Sequence, residues 1–60
     1  MYYTGDKVMT PLGMGVVVSV RRAPPTYSTV AAYYVILESK KYDANYNGTV
    51  FSAADVKSAN

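Results

Sequence analysis

The chain contains no cysteine, no histidine and no tryptophan. Without cysteine there is no disulfide and no thiolate metal site. Without cysteine and histidine together, the usual zinc ligand sets cannot assemble within one chain. The four acidic residues, Asp6, Glu38, Asp43 and Asp55, are scattered and lack the spacing of a calcium loop. Nucleophilic catalysis would fall to Ser, Thr, Lys or Tyr beside a carboxylate, and no spacing singles out such a pair. Gly13-Met14-Gly15 is too short for a dinucleotide fingerprint, and no βαβ unit follows it. The sequence therefore assigns no catalytic residue, no cofactor site and no metal ligand. Apolar runs stay far below the ~20 residues of a membrane span. The first six residues lack the positive region and apolar core of a signal peptide. A chain without cysteine suits a reducing compartment, and the cytoplasm is the expected location.

Charge is also scarce. Six basic and four acidic residues leave a net charge of +2, too little to demand nucleic acid as a partner. Sixty residues make one domain, spanning 1–60. A domain of this size buries only about 60% of the surface its unfolded chain exposes. Small scaffolds compensate with disulfides, a metal or oligomerisation. With the first two excluded, self-association or docking on another protein is the remaining device. Against these absences stand seven tyrosines. Tyrosine favours strands, and its ring with one polar handle suits half-buried surfaces and interfaces.

The pattern along the chain is that of short strands. Gly5-Asp6-Lys7-Val8-Met9-Thr10-Pro11-Leu12-Gly13-Met14-Gly15-Val16-Val17-Val18 reads as strand, tight turn, strand. The first strand covers Lys7 to Thr10 and stops at Pro11, which cannot donate a ladder hydrogen bond. Gly13 or Gly15 supplies a positive φ for the turn. The second strand runs from Val16 to Arg22. Its period of two puts Val16, Val18 and Val20 toward the core and Val17, Ser19 and Arg21 on the other face. Residues 23–29 form a loop stiffened by Pro24 and Pro25. The third strand, Val30 to Ser39, turns Val35 and Leu37 inward and leaves Tyr34 and Ile36 outward. A polar loop over 40–48 ends in Asn47-Gly48, a strong turn dipeptide. A short fourth strand over 48–51 leads to one helical turn at 52–56, with Ser52 as its cap and Asp55 three residues on. A last short strand closes the chain within 56–59. The expectation is an all-β fold: a five-stranded small antiparallel barrel with one 3-10 turn before its last strand.

These elements resemble the SH3-like small barrels. The Gly5-Asp6-Lys7-Val8 opening and the Gly13-Met14-Gly15-Val16-Val17 second strand are similar to the KOW and Tudor-like branch, as is the closing Phe51-Ser52-Ala53-Ala54-Asp55-Val56 segment. The chain is also similar in outline to plasmid-type dihydrofolate reductase and to the small barrel subunit of photosystem I. The reductase's active-site Val-Gln-Ile-Tyr corresponds here to Thr49-Val50-Phe51-Ser52, so its activity does not carry over. The resemblance implies a binding or assembly module rather than an enzyme. Two partner classes follow from the residues. Val17, Tyr34 and Ile36 form a candidate protein interface, with the chain itself or another protein as partner, because contiguous outward apolar area marks an interaction site. Alternatively, Arg21, Arg22, Lys40 and Lys41 would meet phosphates while Tyr27, Tyr42 and Tyr46 stack on the bases of a nucleic acid.

Overall fold

The first hairpin is set by three residues. Pro11 ends β1 (Lys7–Thr10), Gly13 takes a φ of +118°, and Thr10 closes the turn between them. The Thr10 hydroxyl donates to the Gly13 carbonyl at 2.7 Å and accepts from the Leu12 amide at 3.2 Å. Thr10 is thereby buried with its polar atom satisfied. The computed structural model, which describes residues 1–59, continues through β2 (Gly13–Arg22), β3 (Val30–Leu37), β4 (Thr49–Ser52) and β5 (Lys57–Ser58). All pairings are antiparallel, in the order β4-β3-β2-β1-β5. The fold is all-β and small-barrel-like, with β4 and β5 as the two edges of a sheet that hydrogen bonds do not close. Among the described residues the only helical pieces are two single 3-10 turns, Glu38–Lys40 and Ala53–Asp55. The expected turn before the last strand is present. The other turn, Glu38–Lys40, cuts β3 short at Leu37, where the sequence pattern had it reach Ser39. The Ser52 side chain caps nothing.

The long β2 is shared by both neighbours, and its register with β3 contains a bulge. Val17 lies opposite Val35, yet Ser19 lies opposite Tyr34, so Val18 has no counterpart. An extra residue of this kind resets the alternation of side chains and bends the strand. Before the bulge, Gly15 and Val17 point inward; after it, Val20 does. This corrects the uniform alternation read from the sequence. Val17 is fully buried, not outward, while Val16 is half-buried on the outer side and Val18 is 41% exposed. Val20 alone of the expected inward trio keeps that place.

The core consists of Val8, Val17, Tyr33, Val35, Leu37, Phe51 and Val56, with Tyr2, Val20, Val30, Tyr46 and Ala53 packed around it. Val35 and Leu37 are inside as the alternation of β3 requires. Gly15 lets β2 and β3 approach: a Cβ there would sit 2.5 Å from Val35 Cγ1 and 2.7 Å from the Ile36 carbonyl oxygen. The segment ahead of β1 lies along β2. The Gly5 amide donates to the Val17 carbonyl at 2.8 Å, and the Val17 amide donates to the Asp6 carbonyl at 3.0 Å. Tyr2 then covers one end of the core. Its ring meets Tyr33 edge-on at 5.5 Å, and its amide donates to the Tyr33 hydroxyl at 3.1 Å.

Candidate interaction surfaces

Residues opposed across an antiparallel ladder point to the same face. The register therefore defines the outer side of the sheet. Met9 faces Met14, Val16 faces Ile36, and Tyr34 faces Val50. Together these six form an apolar band running from β1 to β4. Met9, Met14 and Val50 are exposed, while Val16, Tyr34 and Ile36 are half-buried between their neighbours. Tyr34 and Ile36 are thus outward, as the alternation of β3 implies. Tyr34 is held down by the loop before β4. Its hydroxyl donates to the Asn47 carbonyl, and its ring lies over Gly48, where a Cβ would fall inside van der Waals contact. Gly48 also has a φ of +114°, so the turn needs glycine on both counts. Val17 does not belong to this band. Sequence reasoning missed Met9, Met14, Val16 and Val50. Met9 and Val50 alternate with buried Val8 and Phe51, and that signal was available; Val16 was hidden by the bulge.

The basic side chains do not form one site. In the β2–β3 hairpin, Arg22 lies opposite Val30 next to the loop, whereas Lys40 and Lys41 follow Leu37 at the other end. Eight strand residues separate the two groups, roughly 23 Å at ~3.3 Å per residue. At the loop end, Arg21 and Arg22 accompany Tyr27, an exposed residue with a φ of +57° whose amide donates to the Ala23 carbonyl at 2.9 Å. Among the described residues neither arginine has a carboxylate within salt-bridge distance, and the only ion pair is Lys41–Glu38 at 2.8 Å. Arg22 instead lies 3.6 Å from the Met1 sulfur.

At the opposite end the cations are already engaged. The Lys41 ammonium holds the Glu38 carboxyl below its usual pKa, and Glu38 in turn raises that of Lys41, in both cases first through the hydrogen bond and then through charge attraction. Lys41 also lies 5.2 Å from the centre of the Tyr42 ring, and Lys40 lies 5.8 Å from that of Tyr46. Tyr42 is 90% exposed, with Lys41 against its ring. Tyr46 is structural: its hydroxyl accepts from the Leu37 amide at 3.1 Å and lies 3.0 Å from Thr49 Oγ1 and 3.4 Å from the Val35 carbonyl. It ties the 40–48 loop to β3 and β4, and its ring is part of the core's margin.

Concave features are slight. Two open depressions of about 370 and 320 Å³ lie near Asp6 and Ser58 and near Thr10 and Asp55. Among the described residues, no three acidic side chains converge as metal ligands, and no helix is long and apolar enough to cross a membrane. Comparison with protein-family models, with curated proteins and with solved structures gives no significant match.

Proposed function

We propose that this chain is a non-catalytic assembly module, an SH3-like barrel of the KOW or Tudor-like kind that buries its outer face against a second copy of itself. The apolar band from Met9 to Val50 carries this reading. It crosses four strands, and its stretch from Met14 through Val16, Ile36 and Tyr34 to Val50 includes no charged side chain. Lys7, opposite Val16, and Lys57, opposite Met9, flank its β1 end, so two copies can join over the uncharged stretch with these lysines at its rim. A stable interface takes about 800 Å² from each partner, roughly a fifth of the 4088 Å² this small domain exposes. Such burial supplies the stabilisation that a disulfide or metal provides in other domains of this size.

Light-scattering chromatography at low and high salt, with absorbance recorded at 260 nm, tests the proposal. The wild-type chain elutes as a salt-resistant oligomer free of nucleic acid. Ile36→Lys, which puts a charge at the centre of the band, lowers the mass. A monomer at every accessible concentration would refute the proposal. A second reading rests on a different observation: Arg21 and Arg22, with no carboxylate partner among the described residues, end β2 at the loop that carries exposed Tyr27. That end of the hairpin suits a single-stranded nucleic acid, with phosphates on the arginines and a base on the tyrosine. It predicts a 260 nm signal that falls with salt and vanishes in Arg21→Glu/Arg22→Glu with the fold intact. Lys40, Lys41, Tyr42 and Tyr46 would not share in it.

A further inference from the structure

The sheet ends in two unlike edges. Among the described residues β5 has two, one of them Lys57, and short charged edges resist pairing with another strand. β4 is twice as long, and Thr49-Val50-Phe51-Ser52 carries no charge, no proline and no glycine. All four residues pair with β3 on one side. On the other side, no strand pairs with β4 and no backbone hydrogen bond reaches it among the described residues. β4 is short, but it carries none of the charge or proline that otherwise blunts an edge strand. From this we infer that copies of the chain pair through β4, antiparallel about a two-fold axis, with Val50 opposite Val50 of the second copy.

A two-fold axis sets each residue near its own equivalent, so a charged edge repels itself and this neutral one does not. Alternation restricts the register. Val50 points outward and Phe51 inward. An axis midway between them would oppose residues of different faces, which a ladder forbids. An axis at Phe51 would set Val50 against Ser52. An axis at Val50 matches valine with valine on the outer side and Thr49 with Phe51 on the inner side, the arrangement that gains most from cross-strand contact. It also carries the apolar band across the join. Head-to-tail pairing of β4 with β5 would engage only two residues of β5.

This inference rests on the chain's self-association. Four paired residues span about 13 Å, too little for a stable interface alone. The outer face holds two copies together, and β4 joins such pairs to one another. The face and edge surfaces therefore fail separately. Ser52→Lys, a charge at an exposed position of the β4 edge outside the apolar band, halves the wild-type mass and leaves the far-UV circular dichroism unchanged. Ile36→Lys takes the chain to monomer. The sequence has no cysteine, so Val50→Cys provides a clean cross-link. Opposed residues in an antiparallel ladder have Cα atoms about 4.5–5.5 Å apart, within disulfide range. Mild oxidation converts assembled Val50→Cys to covalent pairs, while Leu12→Cys, on the exposed first turn, stays largely unlinked. Unchanged mass in Ser52→Lys, with Val50→Cys linking no faster than Leu12→Cys, would overturn the edge pairing and leave the face reading standing. A closed ring built through β4 and β5 would overturn the two-fold arrangement. Efficient Val50→Cys linkage with no effect of Ile36→Lys would uphold the edge and refute the face. A wild-type monomer would refute both.

Discussion

Gly15→Ala is the sharpest test of how the sheet is built. The backbone at Gly15 is not in the left-handed region, so alanine meets no conformational penalty there. Strand propensity favours alanine over glycine by about 0.5–1 kcal/mol. The neighbours oppose it. A Cβ would lie 2.5 Å from Val35 Cγ1 and 2.7 Å from the Ile36 carbonyl oxygen. The valine methyl can rotate away at the cost of its core packing. The carbonyl is part of β3 and yields only if the strands separate. Overpacking costs about 1–3 kcal/mol, and a contact this short to a backbone carbonyl belongs at its upper end, about 2–3 kcal/mol, so the net loss is about 1–2 kcal/mol. A chain of this size has a total stability of about 3–9 kcal/mol, and each kcal/mol moves its melting point by about 4–8 °C. The expected drop is about 10 °C, read by circular dichroism with urea titration as a check. Gly15→Ala/Val35→Ala, which removes the methyl but keeps the carbonyl in the way, does not restore the wild-type value. A Gly15→Ala chain as stable as the wild type would refute the close approach of β2 and β3.

Other expectations follow from single contacts. Val17→Ala lowers stability by about 2 kcal/mol, while Val18→Lys, one residue on, leaves it nearly unchanged; equal urea midpoints for the two would contradict the bulge. Tyr46→Phe strips the Leu37 amide of its partner and costs about 1–2 kcal/mol, together with faster hydrogen exchange at Leu37 by NMR. Lys41→Met raises the Glu38 carboxyl midpoint toward its ordinary range in an NMR titration. In the wild type, the Glu38 contribution is present above the unfolded carboxyl pKa and is lost as pH falls through the lowered folded value. The Lys41 contribution is present below the unfolded lysine pKa and is lost as pH rises through the raised folded value. Both side chains are solvent-screened, so the melting temperature hardly moves in either direction; a large acid shift would show that the pair is more enclosed than the structure has it.

What the sequence disclosed was local. Pro11 acts on its own strand end, so the limits of β1 could be read directly; the turn after it is tighter than the glycines suggested, since β2 begins at Gly13 and not at Val16 and Gly15 lies within the strand. The alternation of Tyr33, Val35 and Leu37 against Tyr34 and Ile36 is likewise written within β3. The inward turn of Val17 is not written within β2, because a bulge belongs to a pair of strands and only β3 reveals that Val18 lacks a counterpart. Tyr46 resembled the other loop tyrosines until its hydroxyl was seen to reach β3. The dispersal of the basic pairs follows from hairpin geometry: the end of one antiparallel strand adjoins the beginning of the next, not its end. Arg21–Arg22 and Lys40–Lys41 could not have shared a site on one hairpin. For the outer band, period-two counting found Tyr34 and Ile36 but not the residues that adjoin them on other strands, since adjacency across a sheet is a matter of register.

Among the described residues, the ladder between β1 and β5 joins Val8 to Ser58 and Met9 to Lys57. It links sequence positions about fifty residues apart, whereas the other pairings join consecutive strands. Closing so long a loop for two residue pairs carries much of its entropic cost with little return. Folding is thus ordered: the hairpins form from neighbours in sequence, and the last strand docks after them. In the native state the same strand is the first to leave, a small sub-global opening well below the free energy of full unfolding. Each excursion uncovers the other flank of β1 and with it Val8, at the centre of the core. The protein thereby behaves as a meander fastened by one short latch, and its weakest moment is set by that latch and not by the packing beneath it.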